Sequence, residues 1–573
     1  METVSGKLRS RLLLCLPPLL LGVCLLLWTV DVLNWDEWVI WTGLLEHLRD
    51  GSLSLLDIIR QQNEQRNAAA RLIGLAFFPI FRGNRFPEYA TIMLMACGCA
   101  LLAAKLYRLT MPEPRDRRPL YVFSALAFSL LQWETFTFGI NTSVLSPVLG
   151  LWAGVCLAWW TERLGLWRFG AMAACGVVSS FSFANGLFFW PCLAPLVALR
   201  AGSRRRAQVL TGLWLAIGAL VWGLYFLHYA KPEHHPSPLL ALRTPVALAG
   251  YFLAYLGGAL VGDRNLLPLA ILAGAFGLFL LVVVTRAAWR AGPESRARLW
   301  PWLAVAGFTL LSALATAVGR CGISLGQALE SRYATFTSPL WMVLAALFAA
   351  NRLRLGETLR RWCERGAALC VCLFLLSTVL AAIVLHNRYP RLERAREELF
   401  RLTDPEALRV IFPDPAFVLA RMPLFLECRA GIYRNVLPLG AYRSGAPVAG
   451  TVTAVPLDLV EGRVHGFLVQ GTVPGRTEGK LLVRAGDRVA GLGKIDPDGS
   501  WRLFVPESAL PAGNVTLTVD LVPEEGTQLR PVGPAAGVAL NNPGRVTREF
   551  HLARNFFVPG LTHAANGKPL CGP

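Results

Sequence analysis

DVLNWDEWVIW, residues 31–41, follows the first apolar run of the chain and places Asp36 and Glu37 side by side. Ionised carboxylates at a membrane boundary are costly unless they face water, a partner or a ligand. The residues that follow predict an amphipathic helix lying on the membrane surface, its apolar stripe formed by Trp38, Trp41, Leu44, Leu45 and Leu48. We therefore predict that residues 31–85 form an acidic, water-facing floor on the membrane.

The composition excludes an ordinary soluble protein. Of 573 residues, 54% are hydrophobic and only 16% are charged. Apolar runs of roughly 17 to 23 residues recur, which is the length that a bilayer-crossing helix requires. The net charge of +19 raises the question of a nucleic-acid partner. The basic residues cluster in short loops between apolar runs, as in the cytoplasmic loops of membrane proteins, so we expect no nucleic acid.

The apolar runs predict an α-helical polytopic membrane protein with eleven spans. An odd number places the two ends on opposite sides, and the arginine-rich loops predict a cytoplasmic N-terminus. Two further apolar runs, 68–81 and 245–261, are expected to be interfacial or re-entrant and to line a cavity. The predicted spans are 11–30, 86–108, 119–137, 143–161, 169–183, 186–200, 207–229, 264–285, 300–319, 335–350 and 366–385.

The composition changes after the last predicted span. Residues 386–445 are charged and predict a helical connector, whereas strand-like segments alternate with turns from about residue 446. The turn sequence Asp496-Pro497-Asp498-Gly499 is typical of a hairpin. We predict a transmembrane domain over 1–385, an extracytoplasmic connector over 386–445 and an extracytoplasmic β-sandwich over 446–573.

Polar signatures concentrate in the loops predicted to lie outside, as an outer-leaflet active site requires. These are WDEW (35–38), QQNEQR (61–66), QWETFTFG (132–139), SFANG (182–186), KPEHHPS (231–237) and GRCGISLGQALESRYATFT (319–337). The chain has no P-loop, zinc-protease or hydrolase-elbow motif.

Asp36 and Glu37 are the first candidates for catalysis, because a partly desolvated acid there can act as general base to an incoming hydroxyl. The alternative is that the pair only holds Arg66 or Arg71. Arg332, beside Tyr333, is a candidate phosphate clamp, since guanidinium binds phosphate bidentately; alternatively it reaches to the membrane surface.

The remaining candidates have two interpretations each. Glu64 and Arg66 supply another acid and another base. Glu134 is a site residue or lies at an interfacial anchor, and Asn185 is a ligand or part of a tight turn. Residues that bind a ligand or lie in a solvated loop are Lys231, His234 and His235; Arg320 is a second phosphate candidate. No metal site is predicted, because the adjacent histidines lack a carboxylate at ligand spacing.

WDEW after the first span, followed by an amphipathic outer loop, resembles the GT-C superfamily of integral-membrane glycosyltransferases. Over roughly residues 30–420 the chain also resembles a bacterial multi-pass membrane family with the motifs NEHR, QWENFxWGFQ, FSMANGLLVWP, KPPHHPS and SRYxTFS. The matching stretches are NEQR, QWETFTFG, FSFANGLFFWP, KPEHHPS and SRYATFTSPLW. Glutamines, Gln62 and Gln65, stand where that family has histidines, which weakens any metal or proton role there.

The resemblance implies a site and partners. Asp36 would be the base or the acid that orients the acceptor, with Glu37 or Glu64 as its helper. Arg332, together with Lys231 and His235, would hold the phosphate of a polyprenyl-phosphate sugar donor, and the acceptor would be a lipid-linked glycan or another envelope molecule. Membrane lipids surround the protein in a bacterial inner membrane, and a divalent cation, Mg²⁺ or Mn²⁺, is the cofactor left open.

Three alternatives stay open from the sequence. They are an O-antigen or exopolysaccharide polymerase or ligase, a transporter or flippase of lipid-linked glycans, and a non-enzymatic envelope scaffold. The enzyme interpretation expects the tandem carboxylates and the Arg332–Tyr333 corner to share one wet pocket that opens to the outer leaflet.

Overall fold

The computed structural model describes residues 4–111, 116–232, 236–523 and 527–539. Most of this described chain is helical, and a β region follows at its C-terminal end. Within these ranges eight helices are long and apolar enough to cross a membrane. They are Arg11–Trp28, Phe86–Thr110, Gly139–Trp159, Arg204–Phe226, Arg264–Arg290, Pro293–Arg320, Ser331–Arg354 and Glu357–Arg401.

The α-helices are, in chain order, α1 Val4–Trp28, α2 Asp36–Arg49, α3 Leu55–Ile59, α4 Ala68–Phe81, α5 Phe86–Thr110, α6 Arg118–Ala127, α7 Trp133–Thr137, α8 Thr142–Trp159, α9 Leu166–Ser182, α10 Phe189–Leu199, α11 Arg204–Phe226, α12 Pro238–Arg243, α13 Pro245–Gly257, α14 Leu267–Arg290, α15 Pro293–Arg320, α16 Ala334–Asn351, α17 Glu357–Arg401, α18 Pro405–Leu408 and α19 Pro415–Glu427. The 3₁₀ segments are Leu130–Gln132, Gly139–Asn141, Ala184–Phe188, Arg264–Leu266, Leu325–Leu329, Ser331–Tyr333, Arg352–Arg354, Gly431–Tyr433, Leu439–Ala441 and Glu507–Ala509.

Three of the eleven predicted spans are not among these eight helices. The 119–137 run is divided, because α6 ends at Ala127 and Ser129 caps a separate 3₁₀ turn by accepting from Leu131 N. The 169–183 run is the 17-residue α9, and the 186–200 run is a 3₁₀ turn followed by the 11-residue α10. The number of crossings therefore stays a prediction. The runs 68–81 and 245–261 contain helices of 14 and 13 residues.

The chain divides into two compact units. The helical unit consists of Met1–Thr29, Ile58–Ile73 and Glu88–His386; the second unit consists of Val30–Asp57, Gly74–Pro87 and Asn387–Pro573. The division after His386 lies next to the predicted boundary at 385. The segments 30–57 and 74–87, which the sequence division placed in the transmembrane domain, group instead with the C-terminal part of the chain.

Glycines allow close backbone packing inside the helical unit. A Cβ on Gly257 of α13 would lie 2.0 Å from the Ala270 carbonyl oxygen of α14, and a Cβ on Gly274 would lie 2.0 Å from the Leu253 carbonyl oxygen. Each glycine thus faces the backbone of the other helix, where no side chain fits. Small residues at such contacts are typical of helix pairs in membranes.

We expect Gly274→Ala to lower the unfolding free energy in detergent by about 1–3 kcal/mol, because the added methyl must push α13 and α14 apart. Gly212→Ala in α11 is the matched control, since no heavy atom lies within 4 Å of its added Cβ. This control should be neutral or stabilising by up to about 1 kcal/mol. Thermal unfolding of both variants measures the difference, and equal midpoints would contradict the packing described.

The second unit has its own apolar core, to which α2 and α19 contribute. The predicted stripe on α2 supplies Trp38, Trp41 and Leu45 to this core, and Leu44 is buried as well. Trp38 packs edge-on against Phe425. The prediction that this stripe lies on lipid is therefore wrong, since most of it faces protein. An apolar stripe can face either lipid or the protein interior, so the spacing of the apolar residues alone does not distinguish the two.

Nine strands form two sheets in the described part of the second unit. One sheet has the order β1-β8-β7-β4-β5, with β9 paired to β7, and the other has the order β2-β3-β6. Both sheets contribute to one buried apolar cluster. The strands are β1 Arg443–Ser444, β2 Thr451–Leu459, β3 Val464–Thr472, β4 Lys480–Ala485, β5 Arg488–Lys494, β6 Ser500–Pro506, β7 Asn514–Val522, β8 Gln528–Pro531 and β9 Ala536–Ala539.

The predicted turn at 496–499 forms, but it does not close a hairpin. Gly499 N donates to the Asp496 carbonyl at 2.8 Å, and Gly499 has φ +82°, which glycine adopts without strain. The flanking strands belong to different sheets, because β5 pairs with β4 whereas β6 pairs with β3. The local turn signal was right, and the strand partner was set by distant parts of the chain.

Candidate functional site

The predicted catalytic carboxylates lie at the start of α2 in the second unit, and their surroundings differ. Glu37 is 1% exposed and forms an ion pair with Arg85, which is equally buried. The other Glu37 oxygen accepts from the Asn34 backbone N–H at 2.8 Å. Asp36 is half-buried at the first position of the helix. Both carboxylate oxygens of Glu37 thus have partners inside the protein, which is typical of a structural ion pair.

A wider polar network surrounds this pair. Asp31 accepts from the backbone N–H of Arg85 at 2.9 Å and from the guanidinium of Arg434. Arg388 donates to the side-chain oxygen of Asn34 at 2.8 Å. The alternative from the sequence was that the carboxylates hold Arg66 or Arg71, and the structure shows Arg85 as the partner of Glu37. The network therefore joins 30–57, 74–87 and the C-terminal part of the chain within one unit.

Glu37→Gln should lower the unfolding free energy by about 3–5 kcal/mol, because it leaves the buried Arg85 charge without its counter-ion. Glu46→Gln, the same change at a half-buried position of the same helix, should shift it by less than about 1 kcal/mol because Glu46 is outside that buried pair. Differential scanning fluorimetry in detergent compares the two. A Glu37→Gln protein as stable as the Glu46→Gln protein would contradict a structural role for Glu37.

A tyrosine–arginine cluster lies in the helical unit, made of Tyr251 and Tyr255 of α13, Arg320 at the end of α15, and Arg332 and Tyr333 before α16. The ring centroids of Tyr255 and Tyr333 are 5.2 Å apart. The guanidinium carbons of Arg320 and Arg332 lie 6.0 and 5.8 Å from the Tyr333 centroid. Tyr251 lies within electrostatic range of both Arg320 and Tyr333. The structure thus brings three predicted binding residues together.

Three tyrosine hydroxyls of the cluster are buried without a hydrogen bond to any described residue, those of Tyr251, Tyr255 and Tyr333. A buried polar group without a partner costs about 1–3 kcal/mol. The Tyr255 hydroxyl lies beside Asn185 and Thr316. Because phenol hydroxyls both donate and accept, those of Tyr251 and Tyr333 are suited to a polar ligand beside the arginines.

Glu64 lies beside this cluster and supplies a carboxylate to it. Its side chain forms an ion pair with Arg320, and both side chains are largely buried. The Tyr225 hydroxyl donates to the Glu64 carbonyl oxygen at 2.6 Å, which fixes the loop that carries the acid. Glu64 and Arg320 therefore lie together as predicted site residues, while Arg320 keeps its charge balanced in a buried position.

Two of the polar signatures are hydrogen-bonded to each other at the cluster. Glu134 accepts from the backbone N–H of Arg332 at 3.3 Å, and its own N–H donates to the Ser331 hydroxyl at 3.1 Å. Next along these segments, the hydroxyls of Thr135 and Thr335 are 2.8 Å apart. The stretches QWETFTFG and SRYATFT thus form one hydrogen-bonded corner, which holds Arg332 and Tyr333 in place.

The guanidinium of Arg66 is hydrogen-bonded to backbone carbonyl oxygens. Its guanidinium donates to the carbonyl oxygens of Ile59 and Leu227, both at 2.9 Å, and to that of Tyr225. Burial lowers the pKa of Arg66, and the surrounding carbonyls satisfy its donors. In this conformation the N–H groups of the Arg66 guanidinium are thus bound to the main chain and do not form a bidentate site for a ligand.

The other predicted residues lie in varied surroundings. Asn185 is buried in the 3₁₀ turn 184–188 and, with Thr316, lies beside the Tyr255 hydroxyl. A Cβ on Gly186 would lie 2.0 Å from the Ser179 carbonyl oxygen, so the SFANG stretch also serves a tight turn. Lys231 is exposed. His234 and His235 lie outside the described residues.

Sequence reasoning missed Tyr251 and Tyr255. They lie four residues apart, hence on one face of α13, in a run whose pattern indicates only an apolar segment. Two phenols at that spacing in an otherwise apolar helix were the available signal. No group of three or more His, Cys, Asp or Glu side chains suited to a metal ion occurs in the part of the chain that the structure describes.

Comparison of the chain with family models, with curated proteins and with solved structures gives no match. The resemblance to the GT-C superfamily therefore stays an expectation from the motifs. The tandem carboxylates belong to the second unit and the tyrosine–arginine cluster to the helical unit. The single shared pocket stays a prediction.

Tyr333→Phe should leave the unfolding free energy unchanged or raise it by about 1 kcal/mol, because it removes a buried hydroxyl that has no partner. Tyr433→Phe is the matched control, since Tyr433 is equally buried and its hydroxyl donates to the Leu399 carbonyl at 3.0 Å. The control should lose about 1 kcal/mol. Thermal unfolding without added ligand tests the pair, and a larger loss for Tyr333→Phe would contradict the unpaired hydroxyl.

Proposed function

We propose that this protein is a membrane glycosyltransferase that moves a sugar from a polyprenyl-phosphate-linked donor to a cell-envelope acceptor on the extracytoplasmic side. The observation that carries the proposal is the tyrosine–arginine cluster, in which two guanidinium groups lie beside the Tyr333 ring and the buried hydroxyls of Tyr251 and Tyr333 make no hydrogen bond to a described residue. Arginine forks bind phosphate oxygens bidentately. The motif resemblance supplies the donor class, and the cluster supplies residues suited to its phosphate.

In the proposed reaction the acceptor oxygen attacks the anomeric carbon from the face opposite the lipid phosphate. The new C–O bond forms as the bond to the phosphate oxygen breaks, which inverts the configuration. Arg320 and Arg332 stabilise the negative charge that develops on the leaving phosphate, and the Tyr251 and Tyr333 hydroxyls donate to it. The phosphate competes with Glu64 for Arg320, and the released carboxylate takes the acceptor proton. Asp36 is the alternative base that the resemblance implies.

The proposal includes the finer features of the fold. The chain crosses a bacterial inner membrane eleven times, with the N-terminus in the cytoplasm and the C-terminal part outside. The two sheets of the second unit form a β-sandwich that orients the acceptor glycan. The arginine-rich loops support this orientation, because they alternate with loops poor in positive charge.

Profiling of lipid-linked glycans in a deletion strain tests the function. We expect the donor to accumulate and one acceptor to lack a single sugar, with both defects reversed by the wild-type gene. Addition of many sugars by the wild type would identify a polymerase instead. An unchanged glycan profile in the deletion strain would contradict the enzyme.

Complementation with Tyr333→Phe tests the cluster. Loss of one preorganised donor to the leaving group should lower the transfer rate by about 100-fold while the protein still folds. Tyr433→Phe, corrected for the amount of folded protein, should transfer at the wild-type rate. Equal rates for the two variants would remove the cluster from the mechanism.

Interrupted helices favour transport of lipid-linked glycans as the second candidate. The α6 to α7 and α9 to α10 segments are broken by 3₁₀ turns, and transporters commonly build substrate sites from discontinuous helices. Reconstituted vesicles distinguish the two functions. A transporter moves the lipid-linked glycan across the bilayer with its sugar–phosphate bond intact, whereas the proposed enzyme breaks that bond without moving the donor.

A further inference from the structure

Two loops of the helical unit are joined at one end of two candidate spans. The loop 160–165 follows the span Gly139–Trp159, and the loop 200–203 precedes the span Arg204–Phe226. Leu164 N donates to the Arg200 carbonyl at 2.7 Å, and the Arg206 guanidinium donates to the Leu164 carbonyl at 2.7 Å. The joined loops therefore form one structured surface at the membrane boundary of the two helices.

This surface is strongly basic. Between residues 160 and 206 the chain has one carboxylate, Glu162, and six arginines. We call these six arginines the arginine patch; they are Arg163, Arg168, Arg200, Arg204, Arg205 and Arg206. Arg163 and Arg204 are exposed, and the Nε of Arg200 is buried without a hydrogen-bond partner among the described residues. The patch thus has positive charge that its own carboxylate does not balance.

Three of these arginines lie at a position where their positive charge destabilises the helix. Arg204, Arg205 and Arg206 form the first turn of the 23-residue α11, with Ser203 as its N-cap and no acidic residue in that turn. The N-terminus of a helix carries partial positive charge and attracts anions, so three cations there repel it and one another. A bound anion would relieve this repulsion. The arrangement therefore indicates a ligand with negative charge.

The rim of the patch is apolar. Leu166 and Trp167 are 73% and 67% exposed, and Trp160 and Leu199 are also exposed. Tryptophan at the end of a span is typical of the lipid headgroup level. Cation–π contacts join rim and patch, since the Arg168 guanidinium carbon lies 5.2 Å from the Trp167 ring centroid. Exposed leucine and tryptophan beside the arginines suit an occupant with acyl chains, which a nucleotide or a nucleic acid lacks.

We propose that the arginine patch binds the phosphate headgroup of an anionic phospholipid, with its acyl chains along the exposed Leu166, Trp167 and Leu199. Arginine clusters at span ends attract anionic headgroups, and each cation near the surface strengthens binding by about fivefold. The site lies at the ends of α8 to α11 and uses none of the residues of the tyrosine–arginine cluster. It is therefore independent of the proposed transfer reaction.

Native mass spectrometry of the full chain, released from micelles doped with phosphatidylglycerol or phosphatidylcholine, tests the site. We expect wild type to retain phosphatidylglycerol in preference to phosphatidylcholine. The R204Q/R205Q variant should bind phosphatidylglycerol about 25-fold more weakly, from about fivefold per arginine. The matched control is R286Q/R290Q, which removes two exposed cations at the end of α14.

Each outcome decides the proposal. Unchanged retention by R204Q/R205Q, or an equal loss in R286Q/R290Q, would overturn a specific site. Displacement of the lipid by equimolar glycerol 3-phosphate would assign the patch to a soluble phosphate and overturn the lipid assignment. If R204Q/R205Q elutes as aggregate, R163Q replaces it, with an expected loss of about fivefold, and no loss in R163Q overturns the proposal.

Discussion

The ion pair between Arg320 and Glu64 is the interaction on which the candidate site depends. A buried guanidinium needs a counter-charge, and this one obtains it from a loop far away in sequence. The pair therefore brings the end of α15 and the loop after α3 to the same place, and the Tyr225 hydroxyl fixes that loop through the Glu64 carbonyl. Tyr333 and Tyr251 then face positive charge with unpaired hydroxyls. An anion that replaces Glu64 at Arg320 would gain these partners.

Ion pairs between segments distant in sequence also stabilise the second unit, but with a different result. Glu37, Arg85, Asp31 and Arg434 form ion pairs around the start of α2, and Asn34 and Arg388 extend them. Here the oxygens of Glu37 are occupied by groups of the protein itself. Two neighbouring carboxylates, which the sequence presents as one motif, thus divide into a buried structural acid and the half-buried Asp36.

Features set by local sequence were predictable. Apolar run lengths predicted the membrane class, and Asp496 to Gly499 predicted a turn because the backbone conformation there suits glycine. Features set by distant partners were not predictable. The burial of Trp38 and Trp41 against protein, the assignment of the 496–499 turn to strands of different sheets and the pairing of Glu37 with Arg85 all depend on segments far along the chain. In the candidate site, Arg320, Arg332 and Tyr333 came from motifs, whereas Tyr251 lay in a run that periodicity marks only as apolar.

Electron cryomicroscopy of the full chain in nanodiscs with added decaprenyl phosphate tests the central claim most directly. We expect phosphate density within hydrogen-bond distance of the Arg320 guanidinium and the Tyr333 hydroxyl, with Glu64 turned away from Arg320. Density for the phosphate elsewhere, with the Arg320–Glu64 pair intact and both tyrosine hydroxyls still unpaired, would contradict it.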